Sequence, residues 1–220
     1  MDGIDLNQVR SGLIFFIILV SSLCVHEWAH AFTAEKLGDP TPRMDGRVTL
    51  NPMAHSDLLG TVIFPLMCIF LIPGGFLFGW AKPVMTNPSY FKHHARDSML
   101  VAAAGPASNF AIALIGAVVG RFLFNLEPRT VEIFAPIVTL NVVLAVFNLL
   151  PIPPLDGSHL MRHLTGMRDE TYLMMARWGG LILLAIILIE PLRRVLWFVI
   201  SIALIPFMVI FPELRYGFGR

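Results

Sequence analysis

His26, Glu27 and His30 are the residues whose types and spacing first point to chemistry. Two histidines four apart project from one face of a helix a turn apart, with Glu27 about 100° round from His26. Two neutral imidazoles at that spacing suit a zinc ion, and the carboxylate between them is placed to handle the proton of a metal-bound water. The bare five-residue pattern also occurs on helices of soluble proteins. Here Gly12 to Cys24 is almost wholly apolar, and ionisable groups in such a helix are costly unless paired, ligated or hydrated. That setting favours a metal over two hydrogen-bonded structural histidines.

A catalytic zinc typically takes three protein ligands and leaves a fourth position for water. The candidate third ligand is Asp156, which follows the run Asn148-Leu149-Leu150-Pro151-Ile152-Pro153-Pro154-Leu155. In isolation Asp156-Gly157 reads as an ordinary turn at a helix end. Prolines that break the helix can instead aim the carboxylate inward. Which reading holds depends on whether the two stretches meet.

Composition narrows the setting. The 220 residues are 56% apolar and 14% charged, with a mean hydropathy of +0.72, far more apolar than a soluble domain. An all-α polytopic membrane protein is expected, in contact with the lipid bilayer. A net charge of +1 without a basic cluster leaves no footprint for nucleic acid. Two lone cysteines, Cys24 and Cys68, suggest neither a disulfide framework nor a cysteine zinc site. The first apolar run resembles a signal peptide, but Asp2 and Asp5 before it and His26 and Glu27 within it argue for a permanent helix.

The elements that must position these residues are helices over about 8–37, 96–124, 131–150, 173–189 and 192–211, the last two divided by Glu190-Pro191. A further apolar run, Leu58 to Phe78, is interrupted by Pro65, Pro73, Gly74 and Gly75. If it spanned, the ends of the first helix and of helix 131–150 would lie on opposite faces, and no site could join them. If it enters and returns, those helices run parallel and Asp156 reaches the level of His26 and His30. Cationic side chains tend to the cytoplasmic face. They divide 9 to 7 with six spans and 11 to 5 with the re-entrant run, because Lys82, Lys92 and Arg96 then join Lys36, Arg43 and Arg47. The expected architecture is therefore about five transmembrane helices plus a re-entrant segment. It forms a single domain over 1–220, with a three-helix catalytic core at about 8–165 and a C-terminal helical pair at about 173–212. A multi-pass protein of the cell membrane follows, its N-terminus outside and its metal site toward the cytoplasm.

Together, His26-Glu27-Trp28-Ala29-His30, Gly105-Pro106-Ala107-Ser108-Asn109 and Asn148 to Gly157 resemble the site-2 protease family of intramembrane zinc metalloproteases, peptidase family M50. The likeness covers residues 12 to about 165. It extends to the branch with Asn-Pro-x-x-His-x-Asp and Gly-Trp-Ala-Lys-Pro-Val, matched by Asn51–Asp57 and Gly79–Val84. The resemblance implies one zinc per chain held by His26, His30 and Asp156, Glu27 as general acid/base, and Asn148 as a polar group near the scissile carbonyl. The implied activity is a zinc-dependent intramembrane endopeptidase acting on transmembrane protein substrates. The alternative is a non-proteolytic membrane binding or transport protein that retains a structural zinc site.

Other polar residues carry less. The Asn148 amide either donates to a developing oxyanion or is satisfied by helix packing. Gly79–Val84 either pairs with an extended substrate by β-addition or forms a structural turn. His55 and Asp57 lie near the mouth of the site, with Asp57 suited to cap the helix after it. Lys82 suits lipid headgroups, and His159 and His163 lack a third ligand. Gly105, Pro106, Asn109 and Asn141 read as helix-packing residues.

Overall fold

The computed structural model describes residues 6–71 and 79–217. Among them are nine α-helices and no strand. In chain order these are α1 (Leu6–Lys36), α2 (Thr41–Met44), α3 (Pro52–His55), α4 (Phe64–Leu71), α5 (His94–Phe124), α6 (Val131–Asn148), α7 (Asp156–Thr165), α8 (Asp169–Leu188) and α9 (Glu190–Ile210). Five of them, α1, α5, α6, α8 and α9, are long and apolar enough to cross a membrane. The chain is an all-α polytopic membrane protein.

Three helices form the frame. α1 and α5 are antiparallel, since His30 meets Val101 while His26 meets Asn109. α5 and α6 are also antiparallel, with Gly116 against Ile137 and Val138 and Gly120 against Phe134. α1 and α6 therefore run the same way, Ser22 bonding Asn141 in the middle and Arg10 facing Glu132 at the start. Small residues let the axes approach: Ala113 and Ala117 of α5 are fully buried and pack in one cluster with Val138 and Val142 of α6 and Ile200 and Leu204 of α9. Lys36 in the last turn of α1 suits the helix dipole, and Gly38 with φ of 106° turns the chain out of the helix.

The segment after α1 returns to the level from which it leaves. Asp57 caps the π-helical turn Leu58–Ile63, its carboxylate accepting from the Gly60 N–H at 2.7 Å. The Trp80 N–H then donates to the Gly60 carbonyl at 3.1 Å, and the Thr61 hydroxyl donates to the Trp80 carbonyl at 2.8 Å. The chain that departs at Gly60 is thus beside it again at Trp80. The far part of the expected re-entrant run, 72–78, lies outside the described residues. Residues 80–86 have no regular secondary structure, and the alternate N–H groups of Trp80, Lys82 and Val84 are taken by Gly60, His55 and Glu27, the pattern of an extended segment.

Two expectations need correction. α6 stops at Asn148, and Asp156 opens a separate helix, α7, after a turn-rich link. The prolines at 151, 153 and 154 enforce that break, because none can continue the hydrogen-bond ladder. α9 also runs in the same direction as α5: Phe207 stacks on Phe110, and Phe211 packs on Gly120 and Phe124. Beyond its end Arg121 pairs with Glu213 at 2.9 Å. Arg215, counted with the motif-bearing end from charge, therefore belongs with the opposite end. Apolar helices carry no direction in their composition, and the burial of Phe211 and Leu214 against α5 and α6 outweighs a single cation's preference.

Candidate metal centre

His26 and His30 sit on the face of α1 that presses against α5, buried to 4% and 8% exposure. Gly105 makes that possible. A side chain there would collide with the His30 ring, and its Cβ would fall 2.6 Å from His26 Nε2. α7 brings Asp156 to the same place from the other side. Its Oδ2 lies 3.2 Å from His26 Nε2 and 3.3 Å from His30 Nε2, and the two Nε2 atoms are 3.1 Å apart. No other group of His, Cys, Asp and Glu among the described residues has this metal-binding geometry.

The donor set fits a zinc ion on two grounds. Bonds of about 2.0–2.1 Å in a tetrahedron put ligand atoms about 3.3 Å apart, which matches the three separations. The second ground is hydrogen bonding. His30 Nδ1 faces the Val101 carbonyl at 2.7 Å, and His26 Nδ1 faces Asn109 Oδ1 at 2.6 Å. Oxygen acceptors at both Nδ1 positions put the ring protons there and leave both Nε2 lone pairs pointing at Asp156. Asp156 Oδ2 is buried without a hydrogen-bond partner. Three acceptor atoms facing one another are an arrangement that a cation settles. If protons take the cation's part instead, burial raises the Asp156 carboxyl, but hydrogen bonds and charge from His26 and His30 outweigh it and hold the group below the ordinary carboxylate range.

Glu27 is 9% exposed, and its Oε2 accepts from the Val84 N–H at 3.1 Å. The extended segment that supplies this N–H is itself fastened. Lys82 donates its N–H to the His55 carbonyl at 2.9 Å, and Arg47 donates to the Ala54 carbonyl at 2.6 Å and to the Lys82 carbonyl at 3.3 Å. Asn87 donates to Asp39 at 2.6 Å. His55 is buried with Nε2 2.8 Å from the Thr49 carbonyl, so it braces the mouth rather than reaching the three ligand atoms. Asn148 is half-buried and spends one amide N–H on the Leu144 carbonyl at 2.9 Å.

A cavity of about 1850 Å³ opens beside these residues, lined by His26, Glu27, Val84, Asn148 and Asp156 and walled on the far side by α8 and α9. His159 and His163 line it too, without a third ligand. Asn109 and Asn141, which the sequence alone assigns to packing, do bridge the helices, and Asn109 also reaches a candidate ligand: it touches the His26 ring and donates to Asn141 Oδ1 at 2.9 Å. The available signal was three polar residues, Ser22, Asn109 and Asn141, inside apolar helices.

Fold and side chains together give a helical membrane protein built around two histidines and one carboxylate whose ligand atoms could hold a metal ion. Residues 125–189 match peptidase family M50. The Bacillus subtilis (strain 168) protein named "Putative zinc metalloprotease YwhC" is 36% identical over 190 residues, spanning 82% of this chain and 83% of the relative. The Mycolicibacterium smegmatis (strain ATCC 700084 / mc(2)155) protein named "Putative zinc metalloprotease Rip2" is 31% identical over 198 residues, 83% of this chain and 70% of the relative. Its namesake in Mycobacterium tuberculosis (strain ATCC 25618 / H37Rv) is 37% identical over 176 residues, 77% of this chain and 64% of the relative. No solved structure matches. The chain belongs to peptidase family M50, the site-2 protease family.

Proposed function

We propose that this chain is a zinc-dependent intramembrane endopeptidase that hydrolyses peptide bonds in or near transmembrane segments of membrane proteins. The observation that carries the reading is the convergence of His26, His30 and Asp156 beside Glu27, at the wall of a long cavity. His26, His30 and Asp156 would hold the zinc, which when bound would supply the Lewis acidity to activate water and polarise a peptide carbonyl. Glu27 accepts the proton of the attacking water and returns it to the leaving amine. The Val84 N–H fixes one oxygen of that carboxylate and leaves the other for the proton. Asn148, with one amide hydrogen engaged within its own helix, keeps the second for the developing oxyanion.

A substrate helix must unwind before its carbonyls are accessible, because each is engaged in an i to i−4 bond. The extended segment offers the replacement partner. Trp80, Lys82 and Val84 turn their N–H groups to Gly60, His55 and Glu27. By strand alternation the Ala81 peptide groups are left for an added strand, whereas Pro83 has no N–H and its carbonyl accepts from Arg47 at 3.5 Å. We assign residues 1–220 to one peptidase domain, with the core at about 8–165, in the cell membrane with the metal centre toward the cytoplasm. The excess of Lys and Arg at the motif-bearing end supports that orientation.

The test is Glu27→Gln in the purified protein with a transmembrane substrate. Cleavage is expected to vanish while zinc remains bound at one per chain; full cleavage by the variant overturns the assignment.

A further inference from the structure

The zinc reading above leaves one question that the side chains themselves address: what commits His26 to offering Nε2. We propose that Asn109 and Asn141 are positioning residues, forming a directional relay from the backbone of α6 to the His26 ring.

Both amides are fully buried among apolar helices. The relay starts at the Ile137 carbonyl, which can only accept. The Asn141 atom 2.9 Å from it is therefore the amide nitrogen Nδ2, which also lies 2.9 Å from the Ser22 hydroxyl. That leaves Asn141 Oδ1 as an acceptor, and Asn109 Nδ2 donates to it at 2.9 Å. Asn109 Oδ1 is then the atom facing His26 Nδ1 at 2.6 Å, so the ring carries its proton there. Reversing Asn141 would aim its oxygen at the Ile137 carbonyl, so every link has one favoured direction. The lone pair of His26 Nε2 is thereby pointed at His30 and Asp156.

The two histidines reach the same state by different means. His30 takes its orientation directly from the Val101 carbonyl. No backbone carbonyl serves His26, and the instruction comes through two side chains across the α5 and α6 interfaces. Leucines would fill the same space without burying two amides, which are costly unless fully bonded. Ser22, on α1 one turn before His26, closes the relay back onto the helix that bears the ligand. The register of α6 thus reaches the metal centre twice, through Asp156 at the end of the link and through this relay at its middle.

The experiment measures zinc affinity of wild type, Asn109→Leu, Asn141→Leu and the double variant in detergent, by competition with a chromophoric chelator, alongside thermal unfolding without metal. Asn109→Leu is expected to weaken zinc binding about 10–100-fold. Asn141→Leu, which does not touch His26 but leaves the buried Asn109 amide without its acceptor, is expected to weaken it by several-fold and to lower metal-free stability, a loss that the double variant partly recovers. The double variant should bind no more weakly than Asn109→Leu alone, because the two act in series. A purely structural pair predicts lower stability with zinc affinity unchanged, and unchanged affinity in the single variants overturns the relay. Independent, additive losses of affinity overturn it as well. If Asn109→Leu does not fold, Asn141→Leu decides: affinity within twofold of wild type rejects the relay. A wild-type chain that binds no zinc rejects the metal reading itself, and the relay with it.

Discussion

α5 meets its neighbours along a stripe of small buried residues, Ala113, Ala117 and Gly120, where α6 and α9 press close. α8 is equally apolar yet exposes Leu173, Met174, Trp178, Leu181 and Ile182, and among its described residues only Gly179 is buried. It is fastened at three places near its start and middle. Asp169 pairs with Arg162 at 2.6 Å, Tyr172 lies 3.2 Å from the Ser158 hydroxyl, and Gly179 rests on the Pro153 carbonyl. One helix holds the ligand geometry through packing and buried hydrogen bonds; the other closes the cavity with few contacts. Regions so lightly anchored open at lower free energy than the core, and a wall of that kind suits a cavity that must admit a second polypeptide.

The sharpest way to break this contrast is to add one methyl group on each side of it. Gly105→Ala puts a methyl into the His30 ring. Zinc stoichiometry should collapse and cleavage should fall by at least about 10²-fold, in line with misplacing a group by an ångström. A Gly105→Ala protein with full zinc content would show that the packing of α5 on the imidazoles is looser than described. Removal of zinc by a chelator comes next. At metal concentrations a hundred to a thousand times the dissociation constant, binding stabilises by about 3–4 kcal/mol. Stripping should therefore lower the thermal midpoint and speed hydrogen exchange in α1 and α5 around the ligands, while α8 is unchanged. Gly179→Ala should act differently from Gly105→Ala, because its methyl meets the Pro153 carbonyl and displaces α8. Zinc content is expected to stay at the wild-type level while KM shifts several-fold, and loss of zinc there would erase the distinction between core and wall. The smallest effect belongs to Tyr172→Phe, which removes one hydroxyl from the Ser158 and His159 contacts. A loss of about 1 kcal/mol or less is expected, visible as faster exchange in α8 with cleavage nearly unaffected.

Much of the candidate site is legible in the sequence because it violates its surroundings. His26, Glu27 and His30 stand out against an apolar helix, and Asp156 stands out once helix parity and charge suggest that the two regions share a level. The relay is not legible in the same way. Asn109 and Asn141 lie 32 residues apart on different helices, and their meeting depends on the register of α5 against α6, which no local pattern encodes. The direction of α9 is hidden for a related reason. An apolar helix reads the same either way along its axis, so Phe207 and Phe211 reveal their orientation only when Phe110 and Gly120 are beside them. The break before Asp156 lies between these cases: the prolines announce that α6 must stop, but not that α7 starts at the carboxylate.

The direction of α9 has a consequence for anyone attaching something to this protein. α1 begins where Arg10 faces Glu132, α9 finishes where Arg121 holds Glu213, and α6 joins those two places as a neighbour. The start of α1 and the end of α9 therefore lie at the same end of the α1, α5 and α6 frame, and the ligand atoms lie toward the other end. A fluorescent reporter or affinity handle fused after residue 217 would report on the side away from the metal centre. An insertion in the short connections at 37–41 or 165–169 would instead place cargo on the side of the metal centre.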